Sequence, residues 1–268
     1  MVEKLREFES DRGGNRFVPL TESRILGMPV IELRMLWRRY KFVSEFGINK
    51  RVLDIGSGQS LAWEYLVNSP MWLISTDLSL QNLTLASSAG ARRQLNCAAE
   101  SMPFTGDCFE VISALEMIYY LENPSSFLIE CNRVLRKGGL LLMTMPNPDR
   151  TGFHKSPHST NYLNVIECQN LLRSTGFSSE VFGVFRINKN LRNRFLLRCF
   201  AVAEKINIVP NSLKGRARIK RLVQGKLKTY NRMEEIESLI EQSDLEMVPL
   251  SGRTKDFSVL YVIGTKIS

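Results

Sequence analysis

The 268-residue sequence predicts an α/β fold, a doubly wound sheet of seven strands with helices on both faces. Three observations carry that expectation. Short apolar runs alternate with amphipathic stretches through residues 50–187. One of those runs, VLDIGSGQS at 52–60, passes directly from an apolar strand into a glycine-rich turn. The chemically unusual residues fall at the carboxyl ends of the apolar runs, where a doubly wound sheet places its ligands.

The elements follow in order. Residues 1–28 have few apolar positions and read as irregular. Residues 29–47 read as a helix, because Leu33, Leu36, Trp37, Tyr40 and Val43 recur every three or four positions. Residues 1–49 then form an N-terminal cap on a core spanning 50–187. In that core, 51–56 is the first strand, and a short helix carrying Leu61, Trp63 and Leu66 follows. Residues 71–77 are the second strand, and the helix after it stops at Gly90. A weaker third strand covers 91–100, and 108–117 is the fourth. The segment 123–139 reads as a helix capped by Asn123, with Pro124 in its first turn and Gly138 ending it. Residues 140–146 are the fifth strand, apolar as suits the centre of a parallel sheet. Asn164 and Glu167 form a capping box for a helix that runs to Arg173 and stops at Gly176. Residues 180–187 are the sixth strand. The seventh, 257–266, lies in a final segment, 256–268, that completes the core. Between these two strands, 188–255 is an insertion with helical stretches around 191–205 and 232–241. A connection that long inside a compact domain is functional or separately folded.

Composition narrows the function classes. No apolar run reaches the roughly 18 residues needed to span a bilayer. The charged start, MVEKLREFESDRGG, lacks the apolar centre of a secretory signal. Five scattered cysteines, none in a C-x-x-C pair, read as reduced thiols and predict no metal site. A cytoplasmic protein is expected, with association at the inner face of a membrane as the alternative. The net charge of +9 is unevenly placed: Arg186 to Arg232 holds 14 Lys or Arg against the single acid Glu204. Such a block is a solvated face or a footprint for phosphate, an anionic membrane or nucleic acid. Nucleic acid is the least favoured of these, because no N-P-P-Y or D-P-P-Y signature occurs.

The glycine run defines a cofactor pocket. Gly56 and Gly58 let the chain turn sharply and bring bare backbone to a ligand. Asp77, 23 positions after Asp54, ends the next strand, where a carboxylate can accept ribose hydroxyls. A dinucleotide site needs G-x-G-x-x-G, but the third glycine position holds Leu61. No Gly-Lys-Ser/Thr follows to make a phosphate loop. Asp54 would repel a pyrophosphate and suits a ligand bearing ammonium and sulfonium charges. S-adenosyl-L-methionine (SAM) is therefore the expected cofactor.

The chain resembles the class I SAM-dependent methyltransferases, of the methyltransferase-11 and -23 kind, over about 50–185 and the last strand. Their first motif is similar to Asp54, Gly56 and Gly58, and their ribose-binding acid to Asp77. AAESMPFTGDCFE at 98–110 resembles their D-A-E-x-L-P-F-x-D-x-x-F-D. VISALEMIYYL at 111–121 and RVLRKGGLLLMTMPN at 133–147 resemble two further motifs. The resemblance implies a Rossmann-like core with an N-terminal helical cap and a helical insertion before the last strand. It also implies cofactor contacts from Asp54, Gly56, Ser57, Gly58, Asp77, Leu78, Ala99, Glu100, Leu115 and Glu116. Two departures stand out: Ala98 replaces the acid that often meets adenine, and Tyr119-Tyr120 replaces a Glu-His pair.

The acceptor is less sharply indicated. GNRFVP at 14–19, SPHSTNYLNVIECQNLLRSTGF and LKGRARIKRLVQGKL are similar to segments of glycan- and polysaccharide-cluster methyltransferases. That implies O-methylation of a sugar or other polar acceptor, free or linked to a nucleotide or lipid. A natural-product or quinone-type methyltransferase, an RNA methyltransferase and an inactive SAM-binding module are the alternatives. His154, His158 and Tyr120 are the candidate catalytic residues, the histidines because they follow the fifth strand. Tyr119, Arg16 and Arg186 are the candidate acceptor contacts.

Overall fold

A computed structural model describes residues 28–60, 66, 72–153, 155–156, 159–187, 227–228 and 233–267. The strands are β1 (Met28–Pro29), β2 (Arg51–Ile55), β3 (Trp72–Asp77), β4 (Gln94–Asn96), β5 (Phe109–Leu115) and β6 (Leu135–Pro146), followed by β7 (Phe177–Arg186), β8 (Leu227–Lys228), β9 (Val248–Pro249) and β10 (Phe257–Lys266). The helices are α1 (Val30–Gly47), α2 (Leu80–Ser88), α3 (Pro124–Val134), α4 (Val165–Ser174), α5 (Met233–Glu237) and α6 (Gln242–Leu245), with a 3-10 turn at Ile118–Tyr120.

One sheet of eight strands has the order β4-β3-β2-β5-β6-β10-β7-β9, and β1 pairs with β8 apart from it. The seven expected strands are all present; the eighth is the two-residue β9 on the edge beside β7. The pairs β3/β4, β2/β3, β2/β5 and β5/β6 are parallel, while β10 runs antiparallel to both β6 and β7. Because β10 reverses between them, β7 points the same way as β6. Arg186 and Pro146 therefore end at the same edge as Ile55, Asp77 and Leu115.

Side-chain alternation divides the core into two layers. On one face Val52, Leu73, Val111, Leu142, Val259 and Tyr261 pack under Leu36, Trp37, Tyr40 and Val43 of α1. On the other, Leu53, Ile112, Leu141, Met143 and Leu260 pack on Phe127 and Cys131 of α3 and on Cys168 and Leu172 of α4. Trp37 and Tyr40 are thus core residues of the cap.

Several boundaries differ from the sequence expectation. The helix expected over 123–139 ends at Val134, and Leu135 already belongs to β6. Leu135 pairs with Phe109, and its carbonyl accepts from Lys266 Nζ at 2.8 Å, so long-range contacts extend the strand backwards through the polar 136–138. A register shift between Phe109 and Val111 absorbs the added residues. β7 begins at Phe177 rather than 180, because its pairing with β10 runs out to Lys266. The third strand shrinks to Gln94–Asn96, and Ala98 instead bridges to Ser101. The helix expected after β2 and the stretch 191–205 fall largely or wholly outside the described residues. The capping box and the cap behave as read: Asn164 and Glu167 cap one another's backbone, and the Asn123 side chain accepts from Ser126 N–H at 3.1 Å.

Candidate active site

The site is built where β2 ends. Gly56 and Gly58 adopt φ of 66° and 55°, a left-handed conformation that suits glycine. A Cβ on Gly56 would lie 2.9 Å from the Met117 Cβ, so the turn nests against the segment that follows β5. Ser57 N–H donates to the Thr76 carbonyl at 3.0 Å, tying the turn to β3. Asp77 then closes the turn: its carboxylate accepts from Gly58 N–H and from Ser79 N–H, each at 2.8 Å.

Asp54 points from β2 into the layer beneath α1 and is buried. Ser113 Oγ donates to it at 2.6 Å. Burial pushes its carboxyl up to about 7, with Ser113 opposing and the Asp77 charge adding. Around it, the Ser57, Ser60 and Ser75 hydroxyls are buried without a hydrogen-bond partner among the described residues. Buried hydroxyls normally find partners, so this cluster has the character of a ligand lining. Leu115, Ala99 and Glu100 are partly buried near the same edge, and Leu78 is exposed beside it.

Across the strand ends lies a second group. Glu116 holds a left-handed φ of 55°, fixed by its N–H donating to the Thr144 carbonyl at 2.9 Å. Its Oε2 accepts from Tyr119 Oη at 3.1 Å. Tyr119 is buried, and burial raises its hydroxyl well above the ordinary value, with Glu116 and Tyr120 adding and Arg39 opposing. Tyr162 stacks on Tyr119 at 5.3 Å, and Phe153 meets Tyr162 edge-on at 4.7 Å. Tyr120 sits beside Tyr119 with 46% of its surface exposed. The Arg150 guanidinium lies over Phe153 at 5.7 Å. Its pKa is lowered by burial, which the charges of Glu116 and Tyr162 oppose.

The sequence-predicted residues divide into four sets. Asp54, Gly56, Ser57, Gly58 and Asp77 come together at the β2–β3 edge, and Glu116 joins Tyr119 and Tyr120 beyond β5. Arg186 ends β7, where it lies over the Phe257 ring at 4.7 Å and pairs with Glu246 at 3.4 Å. Arg16, His154 and His158 lie outside the described residues. Sequence reasoning missed Ser75, Ser113, Thr144, Tyr261, Arg38, Arg39 and Arg150. Their available signal was polarity inside otherwise apolar strands and two arginines amid the apolar face of a helix. Among the described residues no group of His, Cys, Asp and Glu could hold a metal, and no helix is long and apolar enough to cross a membrane.

Part of the chain is similar in sequence, and its fold in structure, to known methyltransferases. The family model for a methyltransferase domain matches residues 53–143, from the middle of β2 through most of β6. A ubiquinone biosynthesis O-methyltransferase from Parvibaculum lavamentivorans is 30% identical over 128 residues, which is 42% of this chain and 51% of that protein. A Mycolicibacterium smegmatis protein named "probable S-adenosylmethionine-dependent methyltransferase" is 27% identical over 183 residues, 63% of this chain and 69% of that protein. The chain spans about half the length of the ubiquinone-biosynthesis relatives it matches. A SAM-dependent methyltransferase from Archaeoglobus fulgidus shares the fold, with a TM-score of 0.54 at 15% identity over 98% of this chain and 99% of that one. Residues 53–143 thus match the model of a methyltransferase domain, and the fold of the chain is the one seen in a solved SAM-dependent methyltransferase.

Proposed function

We propose that this chain transfers a methyl group from SAM to an oxygen of a small polar acceptor. The observation that carries the reading is Asp77, held at the tip of β3 by the N–H groups of Gly58 and Ser79, facing a turn lined by unpartnered serine hydroxyls. The residues fit the cofactor. Asp77 would hold its ribose, the Gly56–Gly58 backbone its approach to the turn, and Asp54 its positively charged end. When bound, SAM supplies a methyl group on a sulfonium centre, already activated for in-line displacement.

The chain's own task is alignment and proton handling. Glu116 fixes the Tyr119 hydroxyl, and Tyr119 in turn accepts backbone N–H bonds from Thr160 and Asn161 at its carbonyl, which pins the loop returning after β6. That loop contains His154 and His158, the proposed acceptors for the proton that an acceptor hydroxyl loses. Tyr120, half exposed, is the proposed wall of the entrance. Relatives named ubiquinone biosynthesis O-methyltransferases support oxygen as the target and favour a quinone-type acceptor. The sugar acceptor expected from the flanks finds no counterpart among these relatives.

Calorimetry with S-adenosylhomocysteine tests the first half of the reading. The protein should bind it, and Asp77→Ala should weaken binding by about tenfold or more, the worth of a charge-assisted contact. No binding by the unaltered protein sinks the proposal. A labelled-methyl assay over phenols and sugars then identifies the accepting atom.

A further inference from the structure

Asp54 is a buried carboxyl with no cation bonded to it among the described residues. β2 lies between β3 and β5, and Asp54 pairs in register with Ser75 on one side and Ser113 on the other. Register partners in a sheet share a face, so the three polar side chains form one row across otherwise apolar strands. Ser75, Asp54 and Ser113 are 1%, 4% and 0% exposed. Among the described residues, the carboxyl takes a single hydrogen bond, from Ser113 Oγ at 2.6 Å. Its second oxygen takes none, and the Ser75 hydroxyl has no partner there either.

The charged groups on the neighbouring elements do not neutralise it. At the tip of β3 stands another acid, Asp77, which accepts from Gly58 and Ser79 N–H at 2.8 Å each and from Asn82 Nδ2 at 3.4 Å. Glu110, at the start of β5, meets Arg51 at the start of β2 at 3.7 Å. Beyond the end of β5, Glu116 takes the Tyr119 hydroxyl at 3.1 Å. α1 lays Arg38 and Arg39 on this face of the sheet, where their charges act on Tyr261, and Arg38 meets Glu45 at 3.5 Å. An ionised carboxylate buried without a cation is strongly unfavourable, so the carboxyl holds its proton. Its pKa of about 7 follows from that burial, with Ser113 opposing and Asp77 adding.

We propose that Asp54 exchanges its proton for the ammonium group of the cofactor: the O–H bond breaks, its electron pair stays on the carboxylate, and the proton leaves to solvent. The inference rests on the reading of the Gly56–Gly58 turn as a SAM site. An ammonium carries N–H donors and needs acceptors. The row offers the second oxygen of Asp54 and the Ser75 hydroxyl oxygen. A sulfonium has no hydrogen on its sulfur to donate, so the row suits the ammonium end. With an ammonium beside it, ionised Asp54 has the counterion that its neighbours do not supply, and the charged form becomes the favoured one. Ser113 is a positioning residue: its hydroxyl donates to the carboxylate, orients it, and eases the loss of the proton.

The test is calorimetry of the full chain with S-adenosylhomocysteine, which carries the same ammonium group, at about pH 6 in two buffers of different ionisation enthalpy. The buffer dependence of the heat should report release of about one proton per molecule bound. Affinity should rise roughly five- to tenfold from about pH 5.5 to about pH 6.5 and level off above about pH 7.5, because binding needs the ionised carboxylate, whose population grows as pH approaches 7. Asp54→Asn cannot ionise; it should release no proton and bind with an affinity independent of pH over that range. Ser113→Ala should move the midpoint of the profile upward by about half a pH unit or more, weakening binding more at about pH 6 than at about pH 8. A merely structural loss would weaken both alike. Absence of proton release by the unaltered protein overturns the proposal, as does an equal release by Asp54→Asn. An unmoved midpoint in Ser113→Ala overturns the part assigned to Ser113. The two-buffer comparison on the unaltered protein stands without either variant. Failure of the unaltered protein to bind S-adenosylhomocysteine at any pH would instead fell the cofactor reading, and is seen before any variant is made.

Discussion

Asp54 is a carboxyl that the fold holds protonated up to about pH 7, against an ordinary value of 3.8. In the unfolded chain it ionises near pH 4. Between those limits the native state binds more protons than the unfolded state. Its contribution to stability is therefore complete below pH 4 and falls as pH rises towards 7, by up to about 1.4 kcal/mol per pH unit. Asp54→Asn keeps an oxygen for Ser113 Oγ and cannot ionise. Urea unfolding between about pH 5 and 7.5 should show the unaltered protein losing on the order of 2–3 kcal/mol more than the variant. Identical pH profiles would show that Asp54 ionises freely in the fold. The serines around Asp54 illustrate what one residue's identity conceals. Ser75 and Ser113 look alike in sequence, each a small polar residue in an apolar strand. Only the sheet register shows that Ser113 donates to Asp54 while the Ser75 hydroxyl has no partner among the described residues.

At the level of elements, an arginine fork ties α1 to α6. Arg34 Nε and Nη2 donate to the two oxygens of Asp244, each at 2.6 Å, and Nη1 donates to Glu241 Oε1 at 2.8 Å. Asp244 is buried, and its hydrogen bond is the leading cause that raises the Arg34 pKa. The fork joins the cap helix to α6, more than 200 residues further along the chain. Asp244→Ala should lower the unfolding free energy by about 1–3 kcal/mol, because it removes two of the three bonds of a mostly buried guanidinium and leaves it only Glu241. A double-mutant cycle with Arg34→Met should return a coupling of about 1–3 kcal/mol in chemical denaturation. Additive losses would mean that the two side chains do not act together. Elements set by local chemistry were legible beforehand. The Asn164–Glu167 box begins α4 where the residues say, and β10 matches its apolar run from Phe257 to Lys266. Boundaries set at a distance were not. Arg136, Lys137 and Gly138 carry every mark of a helix end, yet strand pairing with Phe109 and the Lys266 bond to the Leu135 carbonyl draw them into β6.

At the scale of the molecule, the same contrast separates the two halves of the site. The proposed cofactor half is nearly continuous in sequence, from Asp54 through Asp77, so its glycines and acids were readable as a motif. The group around Glu116 instead draws on the end of β5, on Thr144 of β6, on Arg150 of the loop that follows and on Tyr261 of β10. No local pattern joins residues so far apart; the sheet order alone assembles them. That order has a further consequence, which concerns time. β10 lies between β6 and β7 in the sheet, yet a ribosome makes it after both. Until Phe257–Lys266 emerges, β7 has no neighbour on that side, and β6 keeps a seven-residue edge of unsatisfied backbone along Leu140–Pro146. An apolar, unpaired edge is a template for another chain. Refolding from urea should therefore lose yield as concentration rises from about 1 to about 50 μM, within the micromolar range in which such intermediates aggregate. A peptide spanning 257–266, added during refolding, should compete for the edge and alter that yield. A yield independent of concentration would mean that β6 is covered before its partner arrives. The strand that carries the buried Tyr261 is thus the last to be synthesised of the strands around it, and the face it completes forms only in a chain that has survived the wait.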